Sequence, residues 1–252
     1  MAAGNDLNDW YNNLPKVFRI VFTALVLGPL LIRFKLIDPT LLIADWELVY
    51  RKFQIWRLIT PCFVNGVSFK WAIKLYIYYN YGKILSENTF TGRPADEAFM
   101  YTVLIMGCNC IGWFVGAVVY YHILITSVIY VWASCNRDVT AQFYFGIKIK
   151  AAYLPWALAA WDFLLDDNTV GFFGIVVGHI YFFLKYKWPV DFGGRDFLET
   201  PQFFKNMFPE FRNVAGRNVS FRRPDGTDAR RGAGNNADGG GHSWGTGRRL
   251  GD

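Results

Sequence analysis

The chain changes character near Pro189, and that join limits what it can fold into. Before it lies a strongly apolar body; after it comes a polar stretch rich in Gly, Arg, Asn and Asp. Such a stretch cannot bury enough apolar surface to offset its conformational entropy, so it is expected not to fold alone. It nevertheless ends in a patterned segment, Gly241-His242-Ser243-Trp244-Gly245-Thr246-Gly247-Arg248-Arg249-Leu250-Gly251. An aromatic and a leucine spaced by glycines suit docking onto a soluble partner. Glycine lets the backbone lie flat, while Trp244 and Leu250 fill pockets. The reading is a polar N-terminal segment over 1–15, a membrane body over 16–188 and a tail over 189–252.

The whole chain of 252 residues is 53% hydrophobic and 19% aromatic despite that tail, so its apolar weight lies before 189. The formal charge of +6 alone would suit nucleic acid. However, Lys and Arg gather at the ends of apolar runs and in the tail, the pattern of membrane flanks. Nucleic acid is therefore not an expected partner; the lipid bilayer is. Cys62, Cys108, Cys110 and Cys135 sit within or beside apolar runs, and Cys108-Asn109-Cys110 has no histidine near it. They read as packing residues rather than a disulfide or metal set. No cofactor or metal is expected.

Apolar runs lie at Val17–Ile32, Trp71–Tyr81, Ala98–Val119, Ile123–Ala133, Ala151–Leu165 and Val170–Tyr186. They predict an all-α membrane protein of six spans, with four or five left open. The first run ends at Arg33-Phe34-Lys35 and has no small-residue cleavage site behind it, so it reads as an uncleaved span. The third is long enough for a bilayer core of about 30 Å. The fifth, from Tyr153 to Leu165, makes only about 20 Å of helix, so the bilayer beside it must thin or its flanks must help. Basic residues set the orientation. Lys16, the Lys83/Arg93 loop, the Arg137/Lys148/Lys150 loop and the tail fall on one side, taken as cytosolic. Two short turns without Lys or Arg, near Tyr120-Tyr121-His122 and Asp166-Asp167-Asn168, fall on the other. The first loop breaks the pattern with Arg33, Lys35, Arg51, Lys52 and Arg57. Its aromatics and leucines suit a segment lying in the interface, its cations snorkelling to head groups. The sequon Asn218-Val219-Ser220 is on the cytosolic side of this topology and is expected to be idle.

Polar groups at membrane depth each need a reason. Lys70 and Lys74 share a helical face, which means either snorkelling or a wet groove. Asp162, one turn from Asp166, poses the same choice, a place near the membrane edge being the plainer reading. Asn109 is expected to hydrogen-bond a neighbouring helix, and His179 to be a packed, hydrogen-bonded side chain. Gly174 and Gly178 form a G-x-x-x-G that permits close approach of another helix backbone. No G-x-S-G is present, and the nearest string, Gly66-Val67-Ser68-Phe69, lies in a polar stretch.

Gln54-Ile55-Trp56-Arg57 together with Gly174-x-x-x-Gly178 resembles the motif pair of the rhomboid superfamily. Tyr50 to Thr60, Thr91-Gly92-Arg93-Pro94-Ala95-Asp96, Tyr130-Val131-Trp132-Ala133, Asn136-Arg137-Asp138 and Phe192-Gly193-Gly194-Arg195 narrow the resemblance to the Derlin family. These are inactive rhomboid relatives of the endoplasmic reticulum, and the resemblance runs from Trp10 to Asp252. It implies a rhomboid-like six-helix bundle with both termini cytosolic, in which Trp56, Arg57, Gly174 and Gly178 belong to the structural core.

Laid on the active members' pattern, the serine position falls on Thr126 and the histidine position on Gly171. A threonine without a placed base has no evident activation. Cleavage is therefore not expected. The tail ending resembles the motif by which Derlins bind the valosin-containing AAA ATPase, with Trp244, Gly245, Gly247, Arg249 and Leu250 in the matching positions. The resemblance further implies movement of misfolded clients from lumen to cytosol, membrane ubiquitin-ligase complexes as partners, and self-association. A trafficking or chaperone scaffold is the alternative, and an active intramembrane protease a more distant one.

Overall fold

The computed structural model describes residues 2–166, 168–192 and 197–208, all within one compact unit. The tail motif Trp244, Gly245, Gly247, Arg249 and Leu250 lies outside the described residues.

Helix α1 spans Ala2–Asn12 and α2 Lys16–Arg33. A short α3, Trp46–Lys52, sits in the first loop, where Asp45 caps its start by accepting from Leu48 N at 3.1 Å. There follow α4 Phe69–Thr89, α5 Pro94–Val115, α6 Tyr121–Cys135, α7 Leu154–Asp166 and α8 Val170–Phe182. Ser68 caps α4 and proline starts α5, both favoured at a helix entry. Helix α8 continues through a π turn at Phe183–Lys187 into α9, Trp188–Asp191. Between α6 and α7 lies a hairpin of β1 Thr140–Gln142 and β2 Lys148–Lys150, antiparallel with Thr140 opposite Lys150 and Gln142 opposite Lys148.

Each apolar run of the sequence coincides with one of α2 and α4–α8. Two stretches among the described residues, Pro94–Val115 and Val170–Asp191, are long and apolar enough to cross a membrane by themselves. The other four fall short for plain reasons. Lys16, Arg19 and Arg33 dilute α2, and Lys70, Lys74, Lys83 and Glu87 dilute α4. Helices α6 and α7 are only 15 and 13 residues long.

Two boundaries differ from expectation. The third run stops at Gly116, whose left-handed backbone (φ +71°) ends the helix before Val119. The expected join at 189 falls inside the helical continuation of α8. Beyond it, α10 (Gln202–Met207) returns to the body, with the Phe204 ring 5.6 Å from Phe99 of α5. Thr200 donates to Asp96 at 2.5 Å alongside.

Helix α6 forms the centre. Tyr121, Ile123 to Ile129 and Val131 are fully buried, enclosed by α4, α5, α7 and α8. The short turn expected near Tyr120-Tyr121-His122 coincides with the entry to α6, where both tyrosines are covered on all sides.

Candidate functional site

The first loop closes on itself through the Gln54-Ile55-Trp56-Arg57 stretch. Four consecutive carbonyls are gripped by three side chains. Arg57 Nη1 donates to Thr40 O at 2.8 Å and Ile43 O at 2.7 Å, Trp56 Nε1 to Leu41 O at 3.4 Å, and Thr60 Oγ1 to Leu42 O at 2.8 Å. Arg57 Nε is held by Gln54 Oε1 at 2.7 Å, and Arg57 is only 3% exposed. A planar guanidinium reaches several acceptors at once where an ammonium cannot. Arg57→Lys is therefore expected to lower stability by about 1–2 kcal/mol, read as a fall in thermal midpoint in detergent. An unchanged midpoint would show the grip to be dispensable.

The loop is also fastened from outside. Ala44 N donates to Val118 O and Tyr120 N to Pro61 O, both at 2.9 Å. Asn109 of α5 donates to Leu58 O at 2.7 Å and Ile105 O at 2.8 Å, so it serves the loop and its own helix rather than another long helix. Held this way, the segment still exposes Phe34, Leu36, Tyr50, Phe53, Ile55, Trp56 and Ile59. That much apolar surface suits hydrocarbon or head groups, not water.

Helices α6 and α8 meet at backbone distance. A Cβ on Gly174 would lie 2.6 Å from Ile123 O and 2.8 Å from Thr126 Cβ. On Gly178 it would lie 2.8 Å from both Ser127 O and Tyr130 Cβ. His179 leaves this seam and hydrogen-bonds the Tyr130 hydroxyl through Nδ1 at 2.8 Å.

Thr126 is fully buried against α8, and its hydroxyl has no hydrogen-bond partner among the described residues. One turn earlier on α6, His122 joins Lys74 of α4 and Asp162 of α7. Lys74 Nζ bonds the Asp162 carboxylate and lies 2.7 Å from His122 Nδ1; Asp162 Oδ2 is 3.1 Å from the same nitrogen. One ring nitrogen serves one role at a time, accepting from Lys74 or donating to Asp162. Lys74 is 2% exposed and Asp162 6%, so both charged groups are enclosed by the helices around them. Lys70, a turn before, reaches Leu165 O of α7 at 3.5 Å. The face shared by Lys70 and Lys74 is turned toward α7.

Gly171 belongs to the same place. A Cβ there would sit 3.0 Å from Asp162 Oδ2 and 3.5 Å from Ala159 Cα, so α7 fills the space a longer side chain would need. The ionic cluster thus occupies the neighbourhood of both Thr126 and Gly171. His122 was missed from sequence, although its four-residue spacing from Thr126 puts both on one helical face. It also walls a cavity of about 540 Å³ with Asn65, Gly66, Val119 and Asn168. Among the described residues, no group of His, Cys, Asp and Glu could hold a metal, and all four cysteines are free thiols.

Long apolar helices, an apolar outer surface and charges hidden in the bundle define a helical membrane protein. The chain is 39% identical to the Derlin-1 proteins of Homo sapiens and Pongo abelii over 257 aligned residues, covering 98% of this chain and 99% of theirs. It is 35% identical to Derlin-1 of Drosophila melanogaster over 81% of this chain and 85% of that one. Residues 14–202 match the model of the Der1-like family, and the chain belongs to that family.

Proposed function

We propose that this chain is a non-catalytic component of endoplasmic-reticulum-associated degradation. It spans the membrane six times in a rhomboid-like bundle with both termini cytosolic. It gives misfolded luminal and membrane clients a polar, locally thinned route to the cytosol. The tail recruits the valosin-containing AAA ATPase, which supplies the energy. Membrane ubiquitin-ligase complexes and further copies of the chain are its working partners.

The relation to Derlin-1 over nearly the whole length carries this reading. The chemistry around Thr126 supports the non-catalytic part. A nucleophile needs a base within hydrogen-bond reach, and the Thr126 hydroxyl bonds to no described group. Glycine stands at 171 with the Asp162 carboxylate against it, while His122 is engaged with Lys74 and Asp162. A trafficking scaffold would share all of this; the tail separates the two. Removing residues 241–252 should stall client extraction in a dislocation factor and leave a scaffold's holding activity intact.

The direct test is titration of a peptide of residues 238–252 against the N-terminal domain of the ATPase. A large buried apolar side chain is worth roughly 1.5–3 kcal/mol, so Trp244→Ala should weaken a single tail about tenfold or more. Several copies facing a hexameric ATPase would recover affinity through avidity. Equal binding by both peptides would remove the tail from the mechanism.

A further inference from the structure

A cavity of about 420 Å³ opens between α4 and the β1–β2 hairpin, lined in part by Tyr76, Asn80, Tyr81, Thr140, Gln142 and Phe143. It has a built wall. Tyr81 of α4 donates to Gln142 O at 2.9 Å and accepts from Gln142 N at 2.6 Å, fixing the hairpin to the helix. On the hairpin's other face Ala141 is buried, and Tyr144, which also lines the cavity, lies tilted against Trp161 of α7 with ring centroids 4.8 Å apart.

The register decides what accompanies the cavity. Thr140 and Gln142 line it, and their cross-strand partners are Lys150 and Lys148. Directly opposed residues of an antiparallel pair project from the same face. Both exposed lysines therefore stand on the cavity's face of the hairpin. From Asn136 to Lys150 the only other ionic groups are Arg137 and Asp138, so the segment is net positive. Tyr76 in the cavity wall is exposed, and Val139 and Ile147, next to the strands in the chain, are exposed apolar side chains as well.

We infer that the hairpin cavity binds the head group of an anionic phospholipid, Lys148 and Lys150 meeting the phosphate and Tyr76 the glycerol and upper chains. Hydroxyl and amide groups in the wall suit a polar head group. The adjacent apolar rim selects a lipid over a free phosphate, since basic and apolar groups side by side are the signature of a membrane interface. The inference goes beyond the proposed function. It rests on the chain lying in a bilayer and is independent of the tail.

The test is native mass spectrometry of the full chain in detergent, titrated separately with phosphatidylserine, phosphatidylcholine and inorganic phosphate. Phosphatidylserine should bind most tightly. Each lysine near a charged surface contributes roughly fivefold, so Lys148→Gln with Lys150→Gln should weaken it about thirtyfold. Lys16→Gln with Lys187→Gln removes the same charge elsewhere on the chain and should leave binding unchanged. Equal loss in the two double variants would reduce the effect to bulk charge and overturn the site. Equal binding of the two lipids would do the same, and effective competition by inorganic phosphate would make it a soluble-anion site instead. Both pairs of lysines are exposed, so the variants are expected to fold, which gel-filtration elution checks.

Discussion

Asp162→Ala is expected to cost about 3–5 kcal/mol of stability, because it removes the carboxylate that bonds the buried Lys74 ammonium. His122 lies 2.7 Å from that ammonium but brings no negative charge to replace what is lost. The measurement is a thermal midpoint in detergent, followed by tryptophan fluorescence. Adding Lys74→Met to Asp162→Ala should restore much of the loss, since the variant then carries neither charge of the pair. Simple addition of the two single losses would mean that the residues act separately, against the contact seen here. The experiment also bears on function. If the cluster only ties α4, α6 and α7 together, the double variant regains client turnover with stability.

Gly178→Leu should cost about 3 kcal/mol, the upper end of ordinary overpacking. The reason is the kind of atom in the way. Even a Cβ would press on Ser127 O, a backbone oxygen inside α6 that cannot swing aside as a side-chain tip can. Gly178→Ala should fall between wild type and Leu. Gly66→Leu is the control, since nothing lies within 4 Å of a Cβ placed there, and surface changes of that kind stay within about 0.5 kcal/mol. Equal midpoints for Gly178→Leu and Gly66→Leu would show the α6–α8 seam to be loose. The tail binding to the ATPase proposed above should survive in either variant, as the tail is untouched.

The helices were legible because apolar runs and their breaks are local properties. Proline at 94 and serine at 68 mark where two of them begin, and Gly116 marks where α5 ends. Which helix is enclosed was not legible. Periodicity cannot tell a helix covered by protein from one covered by lipid, since both are apolar all round. That is why the entry to α6 read only as a short turn. The seam glycines were visible through their spacing, while their partners, Ile123, Thr126, Ser127 and Tyr130, needed coordinates. Lys74 and Asp162 were both noticed, but each was explained alone. They are 88 residues apart in sequence, and nothing in either local context announces the other. The Arg57 grip was foreseeable in kind, since a buried arginine in a loop needs carbonyls; that it takes part in holding four successive ones was not.

The unequal lengths of α5 and α7 bear on the membrane itself. Helix α5 at 22 residues is about 33 Å long and matches a hydrocarbon core of about 30 Å. Helix α7 at 13 residues is about 20 Å, and it turns Trp156, Phe163 and Leu164 outward. Central α6 is also short, yet protein surrounds it, so lipid never senses its length. The mismatch is therefore felt on one flank only. On the proposed six-span topology, bilayer meeting α5 would keep its height and bilayer meeting α7 would sink toward it. Around a single copy the membrane surface would then be a ramp rather than a symmetric dimple. A lipid, or a client of the kind proposed above, diffusing past would be drawn down the gradient toward the side where Lys70 and Lys74 reach across to α7.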